Sequence, residues 1–552
     1  MNERTGIGGL SRRSFLRTAG TSVAALGAGR VLPPLGPPLA HAAHPADPRA
    51  RKGGTLVVAA ETEPNPVDPQ REGGWMTFRV SHQMHEALVK EDLHAADAPW
   101  PKLGPGLAKS WTVSPDGLVY TFKLREGVKF HDGTPFDANA VKWNVERIWN
   151  KSAPHYDVRS TISLYRYRFV KSIDVVDPLT VRFTMTQPFE PFLRVLAEGS
   201  YGTGCFTSPT NFKRWGNDGL ADHPVGTGPF KFVERVHGQR IVLERNEQYW
   251  GTKPYIDRVI FRILPDPATR VAALKAGELD IAAAPPDAIE PLRKAGFTIL
   301  TNSNIPAVWY FEVNARNKYM QDPRVRRAVA MAINREGMCK NLLRDAAYPA
   351  RGLQSPGNYA YDPNFQDYPY DPAGAKRLLA EAGHPNGIDG VYVCGLNGAA
   401  LDQVAINEWV QRDLAKVGIR VKLDGYEWTT YLTKWSAQLP EDVLMSQMIW
   451  GFSTPYFLWI IAACEGKFPD GCCSSGHSCN EKLDQVMLKA IAAHDEKTAT
   501  QYWRQANQII KEDAWKIPYI VDREPYAVNT RVAGFVNPPQ VWYDLDSVWL
   551  KS

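Results

Sequence analysis

Residues His223 to Ala283 constrain this chain more than any other stretch. They open on Gly226, Thr227, Gly228 and Pro229, run through two segments rich in Val, Ile and Phe, and end in a short Ala/Leu segment closed by Lys275, Ala276, Gly277 and Glu278. Glycine followed by proline marks a turn, the apolar β-branched runs read as strands, and the alanine-rich run reads as a helix with a glycine stop. Turn, strands and helix in this order make an α/β unit. Gly226 and Gly228 do not read as a phosphate-binding loop, because a third glycine is missing and Pro229 stands where a nucleotide-binding helix would open. A tight turn feeding a strand accounts for them.

At 552 residues the chain is too long for one core, so two or three lobes are expected. With 44% hydrophobic and 22% charged residues it has the make-up of an ordinary soluble globular protein. The formal charge of +5 is concentrated at the start, where Arg4, Arg12, Arg13, Arg17 and Arg30 face only Glu3; the remainder is close to neutral. No basic stripe is left for nucleic acid or an anionic membrane. Residues 1–42 read as a targeting segment rather than as fold. Ser11-Arg12-Arg13-Ser14-Phe15-Leu16-Arg17 resembles the twin-arginine export motif, Thr18 to Leu32 is too short and polar to span a bilayer, and Ala40-His41-Ala42 offers a cleavage site. The first cysteine is Cys205, so no cysteine is placed to take a lipid anchor. The expected product is periplasmic and unanchored.

Further along, Thr55 to Ala60 reads as a strand and His82 to Lys90 as a short helix. Its His82-x-x-His85 pair shares a face but has no third ligand nearby, so it is read as packed histidines and no metal is assigned. Ser114 to Gly117 is a turn between two strands, and Asp137 caps a helix reaching Trp149. His131 and Asp132, neighbours in a turn, point apart and are read as structural rather than catalytic. Val170 to Met185 is a second hairpin, Gln187 to Leu196 a short helix, and Trp309 to Asn314 an apolar strand. Val325 to Arg335 is an amphipathic helix expected to keep its arginines in water, and Asp371-Pro372 opens a helix to Gly383. Asn407 to Val417 and Thr498 to Glu512 are helices; Ile419 to Leu423 and Ile517 to Val521 are strands.

The stretch from His223 to Ala283, the turn His131-Asp132-Gly133-Thr134-Pro135-Phe136, the Tyr370-Asp371-Pro372-Ala373 helix start and the run Tyr426 to Leu432 resemble, in order, the family 5 extracytoplasmic solute-binding proteins. These are the oligopeptide and dipeptide binders of ABC importers, and the resemblance runs from about Gly54 to Trp549. It implies an α/β, periplasmic binding protein-like fold (type II, cluster C) with two main lobes, an extra subdomain and a ligand cleft at a hinge. The implied division is 53–88, 203–308 and 522–552 for lobe I, 89–202 for the extra lobe II and 309–521 for lobe III. It further implies a monomer that binds a small solute, peptide or similar, and delivers it to ABC permease membrane subunits, without a cofactor. No G-x-S-x-G, H-E-x-x-H or Walker A pattern supports an enzyme. A non-peptide solute such as an oligosaccharide, opine or metal chelate, and a role as ligand sensor, are the alternatives.

Two charges typical of dipeptide binders are missing. The stretch Met448 to Tyr456 holds no acid for a ligand amino group, and Gly395 to Ala400 holds no arginine for a ligand carboxylate. An unpaired buried charge costs several kcal/mol, so dipeptide specificity is not expected to carry over. The remaining wall is aromatic and neutral: Trp309, Tyr310, Asn397, Tyr426, Trp428, Trp450, Phe452, Ser453 and Tyr456. Such residues suit a flat or neutral guest, although any one of them could instead fill core. Among the seven cysteines, Cys464 and Cys479 fall where dipeptide binders carry a loop disulfide. Bonded, they would add about 3 kcal/mol by loop closure. A zinc cluster of Cys464, Cys472, Cys473 and Cys479 with His477 is the competing reading, disfavoured in an oxidising compartment. Cys205, Cys339 and Cys394 are expected in the core.

Overall fold

A computed structural model describes residues 48–551, apart from 65, 72–73, 198–203, 399–400 and 468–472. The export segment expected at 1–42 lies outside these residues. Among the described residues no helix is long and apolar enough to cross a membrane.

The constraining stretch builds most of a seven-stranded sheet. It yields three long strands rather than two, Phe230–Val236, Arg240–Arg245 and Arg258–Ile263, then the helix Pro267–Lys275 and the strand Ile281–Ala283. Asp266 caps that helix through the Thr269 N–H. The first strand of the chain, Thr55–Ala60, lies parallel between Arg258–Ile263 and Ile281–Ala283, so the stretch encloses it on both sides. One face of this sheet buries Leu56, Val58, Ile241, Leu243, Val259 and Phe261 together with Tyr543 and Leu545 from the C-terminal segment.

The glycines at the head of the stretch are there for close approach. A Cβ on Gly226 would lie 2.1 Å from the Met84 carbonyl oxygen, and one on Gly228 would lie 2.6 Å from the Met84 carbonyl carbon. The Gly228 N–H donates to that oxygen at 2.8 Å and Phe230 N–H to Gln83 O at 3.1 Å. This crossing also corrects the helix expected at His82 to Lys90. The helix is Trp75–Ser81 and ends at His82, because the next residues pair with the glycine-bearing chain and then enter the strand Val89–Glu91. The helix expected from Gln187 begins later, at Phe192.

A four-stranded antiparallel sheet holds both expected hairpins, in the order Ala108–Val113, Val119–Leu124, Thr180–Met185, Val170–Asp177. Asp137 caps the helix Ala138–Trp149 as expected. His131 faces Gly228 O while Asp132 accepts from Ser208 and Thr134, so the two do point apart.

The third sheet has six strands in the order Ala347–Pro349, Lys516–Asp522, Ala307–Val313, Val443–Gly451, Ile388–Gly395, Ile419–Tyr426. Asp371 caps the helix Pro372–Glu381. The helix Pro323–Ala332 departs from its expected polarity: Arg326 is buried, stacked 3.7 Å from the Trp515 ring centre. Its guanidinium donates to the carbonyls of Asp513, Met320 and Gln321, which makes burial of the charge tolerable. Arg335 is buried as well. Cys464 and Cys479 form a disulfide, which takes both sulfurs out of any zinc set, and Cys205, Cys339 and Cys394 are buried, as expected.

Candidate functional site

Three strands of the six-stranded sheet, Val443–Gly451, Ile388–Gly395 and Ile419–Tyr426, run parallel. Their carboxyl ends meet along one edge, since Gly395 pairs with Tyr426, Gly451 with Ala307, and Val308 with Val521. In open α/β sheets that edge is where ligands bind, because loops diverge there and leave a crevice.

The sequence-selected residues distribute along this edge at different depths. Asn397 follows the end of Ile388–Gly395, Tyr426 closes Ile419–Tyr426 and Trp428 follows it, and all three are half-buried. Asn397 Oδ1 accepts the Trp428 N–H at 2.8 Å, and Asn397 O accepts from Gln403 Nε2 at 2.6 Å. With its carbonyl oxygen committed, Asn397 has its NH2 to offer a guest. Beneath lies a buried polar layer in which Asn407 Nδ2 and Gln447 Nε2 both donate to Gly395 O, at 2.9 and 3.3 Å, and hold this turn in place. Gly398 takes φ +102°, and a Cβ there would stand 2.5 Å from Trp428 Cγ, so the indole lies directly on the backbone. Its other side reaches the first sheet's lobe, with Trp428 Nε1 3.4 Å from where a Cβ on Gly74 would be.

The other selected residues lie deeper. Trp309, Tyr310, Ser453 and Tyr456 are each 0% exposed, with Trp450 at 5% and Phe452 at 1%. Trp450 stacks on Phe452 at 5.6 Å, and Tyr456 packs against Tyr165 and Phe189 at 5.8 and 5.0 Å. Tyr165 and Phe189 come from the side of the four-stranded sheet, so these aromatics join two lobes. Ser453 Oγ donates to Glu91 Oε1 at 2.7 Å, and Gln540 Nε2 donates to Glu91 Oε2 at 3.1 Å. Burial raises the Glu91 carboxyl above its ordinary range. These pairs span 362 and 449 residues of chain, which is why no local pattern announced them.

Charged groups gather behind the edge at the crossing into the first sheet. Arg79 pairs with Glu524 at 2.6 Å and Glu61 at 3.5 Å, and donates to Val541 O at 2.8 Å. Asp522, at the end of its strand, is 0% exposed and pushed up to about 7 by burial. Burial likewise pushes Glu190 up to about 7, with Tyr359 OH donating to it at 2.8 Å. An acid raised in the folded state binds its proton more tightly there, so stability falls as pH climbs from the unfolded value of about 4 to the folded one. His85 and His131, pushed down to about 4 and about 3 by burial, act in the opposite sense. Their effect is confined to pH below about 6.5. Above it the raised acids act, Glu524 at about 8 among them, and His94, which Asp544 and Asp546 push up to about 10, acts in the same sense; the melting temperature is therefore expected to fall from about pH 6.5 to about pH 8, and Glu190→Gln to flatten part of that slope. Equal melting temperatures at both ends would count against it.

Comparison with known proteins places this geometry in a family. Residues 102–469 match the family model described as bacterial extracellular solute-binding proteins, family 5 Middle. A di/tripeptide-binding protein 2 of Pseudomonas aeruginosa is 31% identical over 522 residues, covering 90% of this chain and 95% of its own. A glutathione-binding protein of Salmonella paratyphi A is 30% identical, covering 90% and 94%. A periplasmic binding protein of Helicobacter pylori, solved with the peptide STSA, superposes with a TM-score of 0.82 at 28% identity, over 91% of this chain and 99% of its own.

Proposed function

We propose, on the premise that this chain belongs to the bacterial extracellular solute-binding proteins of family 5, how its own residues capture a guest. It is the solute-binding component of an ABC importer, with a mixed α/β fold of the type II periplasmic binding class. The guest we assign is a small peptide-like or other largely neutral solute, seated at the carboxyl edge of the three parallel strands. Lobe I (53–88, 203–308, 522–552) and lobe III (309–521) act as the two walls, with lobe II (89–202) as the outer addition. The observation that carries the assignment is Trp428: fixed from behind by Asn397 and Gly398, it meets Gly74 of the opposite wall.

A solute touching both walls binds the closed form better than the open one, and that difference drives closure. Trp428 and Tyr426 offer aromatic faces and Asn397 an amide donor, whereas Trp309, Tyr310, Phe452, Ser453 and Tyr456 act from beneath by keeping the wall rigid. Catalysis has no part in this cycle, and the solute leaves unchanged. Export by the twin-arginine route into the periplasm and a monomeric state complete the reading. The absence of an acid in Met448 to Tyr456 and of an arginine in Gly395 to Ala400 favours a second reading, a neutral non-peptide guest.

Melting curves against di- and tripeptides, glutathione, opines and oligosaccharides decide between them. A guest at a hundred times its Kd adds about 2.7 kcal/mol. Stabilisation by peptides, with the peptide recovered intact, supports the first reading; stabilisation by neutral sugars alone supports the second; chemical turnover of the stabilising solute overturns both.

A further inference from the structure

Away from the strand edge, His94, Asp544 and Asp546 converge where the C-terminal segment meets the chain leaving the strand Val89–Glu91. His94 Nε2 lies 3.5 Å from Asp544 Oδ2 and 3.4 Å from Asp546 Oδ1. All three ligand-type atoms lie within 4.8 Å of one another. The side chains of Asp544 and Asp546 are only 8% and 14% exposed, and those two oxygens are shut off from solvent with no hydrogen bond to either. The separations are longer than the about 2.7–2.9 Å of a charge-assisted hydrogen bond. They are the separations of atoms arranged around one ion: arms of about 2.1 Å set tetrahedrally hold neighbouring ligand atoms about 3.4 Å apart.

We propose that His94, Asp544 and Asp546 form a site for a divalent cation of zinc's class, with water as the fourth ligand. One imidazole and two carboxylates suit a borderline ion of low coordination number, whereas calcium asks for six to eight oxygens. The surroundings support the ligands. His82 Nε2 holds the other oxygen of Asp544 at 2.8 Å, and Ser547 Oγ stands 3.4 Å from His94 Nδ1. Lys90 Nζ lies 3.4 Å from Asp544 Oδ2 and competes with the ion for its charge; being 22% exposed on a flexible stem, it can swing towards solvent. The ion would tie residues 544–546 to the lobe junction, whatever the cleft holds.

The test is calorimetric titration of the full mature chain, stripped with chelator, against Zn2+, with Ca2+ as control. One zinc per chain is expected with no calcium binding. His94→Ala and Asp546→Asn should each weaken zinc at least tenfold, and Lys90→Met should tighten it, an effect that loss of a merely structural ion pair would not produce. Asp546→Asn keeps the side-chain shape, so it decides the matter should His94→Ala fail to fold. Absence of zinc binding, or binding unchanged in His94→Ala, Asp546→Asn and Lys90→Met alike, overturns the proposal, the latter marking an adventitious ion only.

Discussion

Trp428→Ala is expected to weaken solute binding about tenfold to a hundredfold, the loss of about 1.4–2.8 kcal/mol that removal of an aromatic face from a closed site represents. The indole is half-buried and rests on Gly398, Tyr431 and Gly74, so its removal takes away a wall rather than a piece of core. Trp309 supplies the contrast. It is 0% exposed inside its strand, beside Tyr519 at 6.4 Å and next to Asp522. Trp309→Ala should therefore cost about 3–5 kcal/mol of folding stability through the cavity left behind, with weaker binding only as a consequence. Titration of each variant with the solute that stabilises the wild type, alongside urea unfolding, separates the two roles. Wild-type affinity in Trp428→Ala would move the guest away from this edge.

Lys516→Met should cost about 3–5 kcal/mol of stability, as much as any single change considered, because it strands a buried charge. Lys516 and Glu312 are 1% and 0% exposed at the side chain and paired with each other on adjacent strands. Glu312 also accepts from Trp435 Nε1 and Ser475 Oγ, both at 2.9 Å, and from Gly476 N–H at 3.1 Å. Lys516 further donates to Ser474 Oγ at 3.2 Å. The pair thereby fastens the loop closed by the Cys464–Cys479 disulfide onto the six-stranded sheet. Adding Glu312→Gln to Lys516→Met should recover part of the loss, since an amide still accepts from Trp435 and Ser475 without needing a counter-charge. Denaturant unfolding measures both, and a single-variant cost under about 1 kcal/mol would mean that the pair is not ionised.

Local chemistry was legible in the residues themselves. Asp137 and Asp371 were placed as caps and cap their helices, the hairpins turn at Ser114–Gly117 and at Asp177–Pro178, and Cys464 pairs with Cys479 as the family resemblance implied. Such features depend on contacts within a few residues, or on an ordered set of motifs, and both are written along the chain. Where a non-local contact outweighed local preference, the reading failed. Arg326 is polar by type yet buried, because carbonyls of Met320 and Asp513 and the Trp515 ring receive it; the helix expected at His82 gave way to backbone pairing with Gly228.

The candidate site divides in the same way. Nine aromatic or neutral residues, taken from stretches that the family resemblance set at the cleft, lie along one sheet edge at different depths, since apolar and amide side chains are what a closed cleft and a packed core both require. Residue type could not say which face the guest. Depth is set by strand register and by partners such as Glu91 for Ser453 and Gly74 for Trp428, hundreds of residues distant in the chain. Sequence determined the kinds of side chain present along this edge; only the tertiary fold, by burying some against another lobe and leaving others at the rim, decided which of them stay partly exposed.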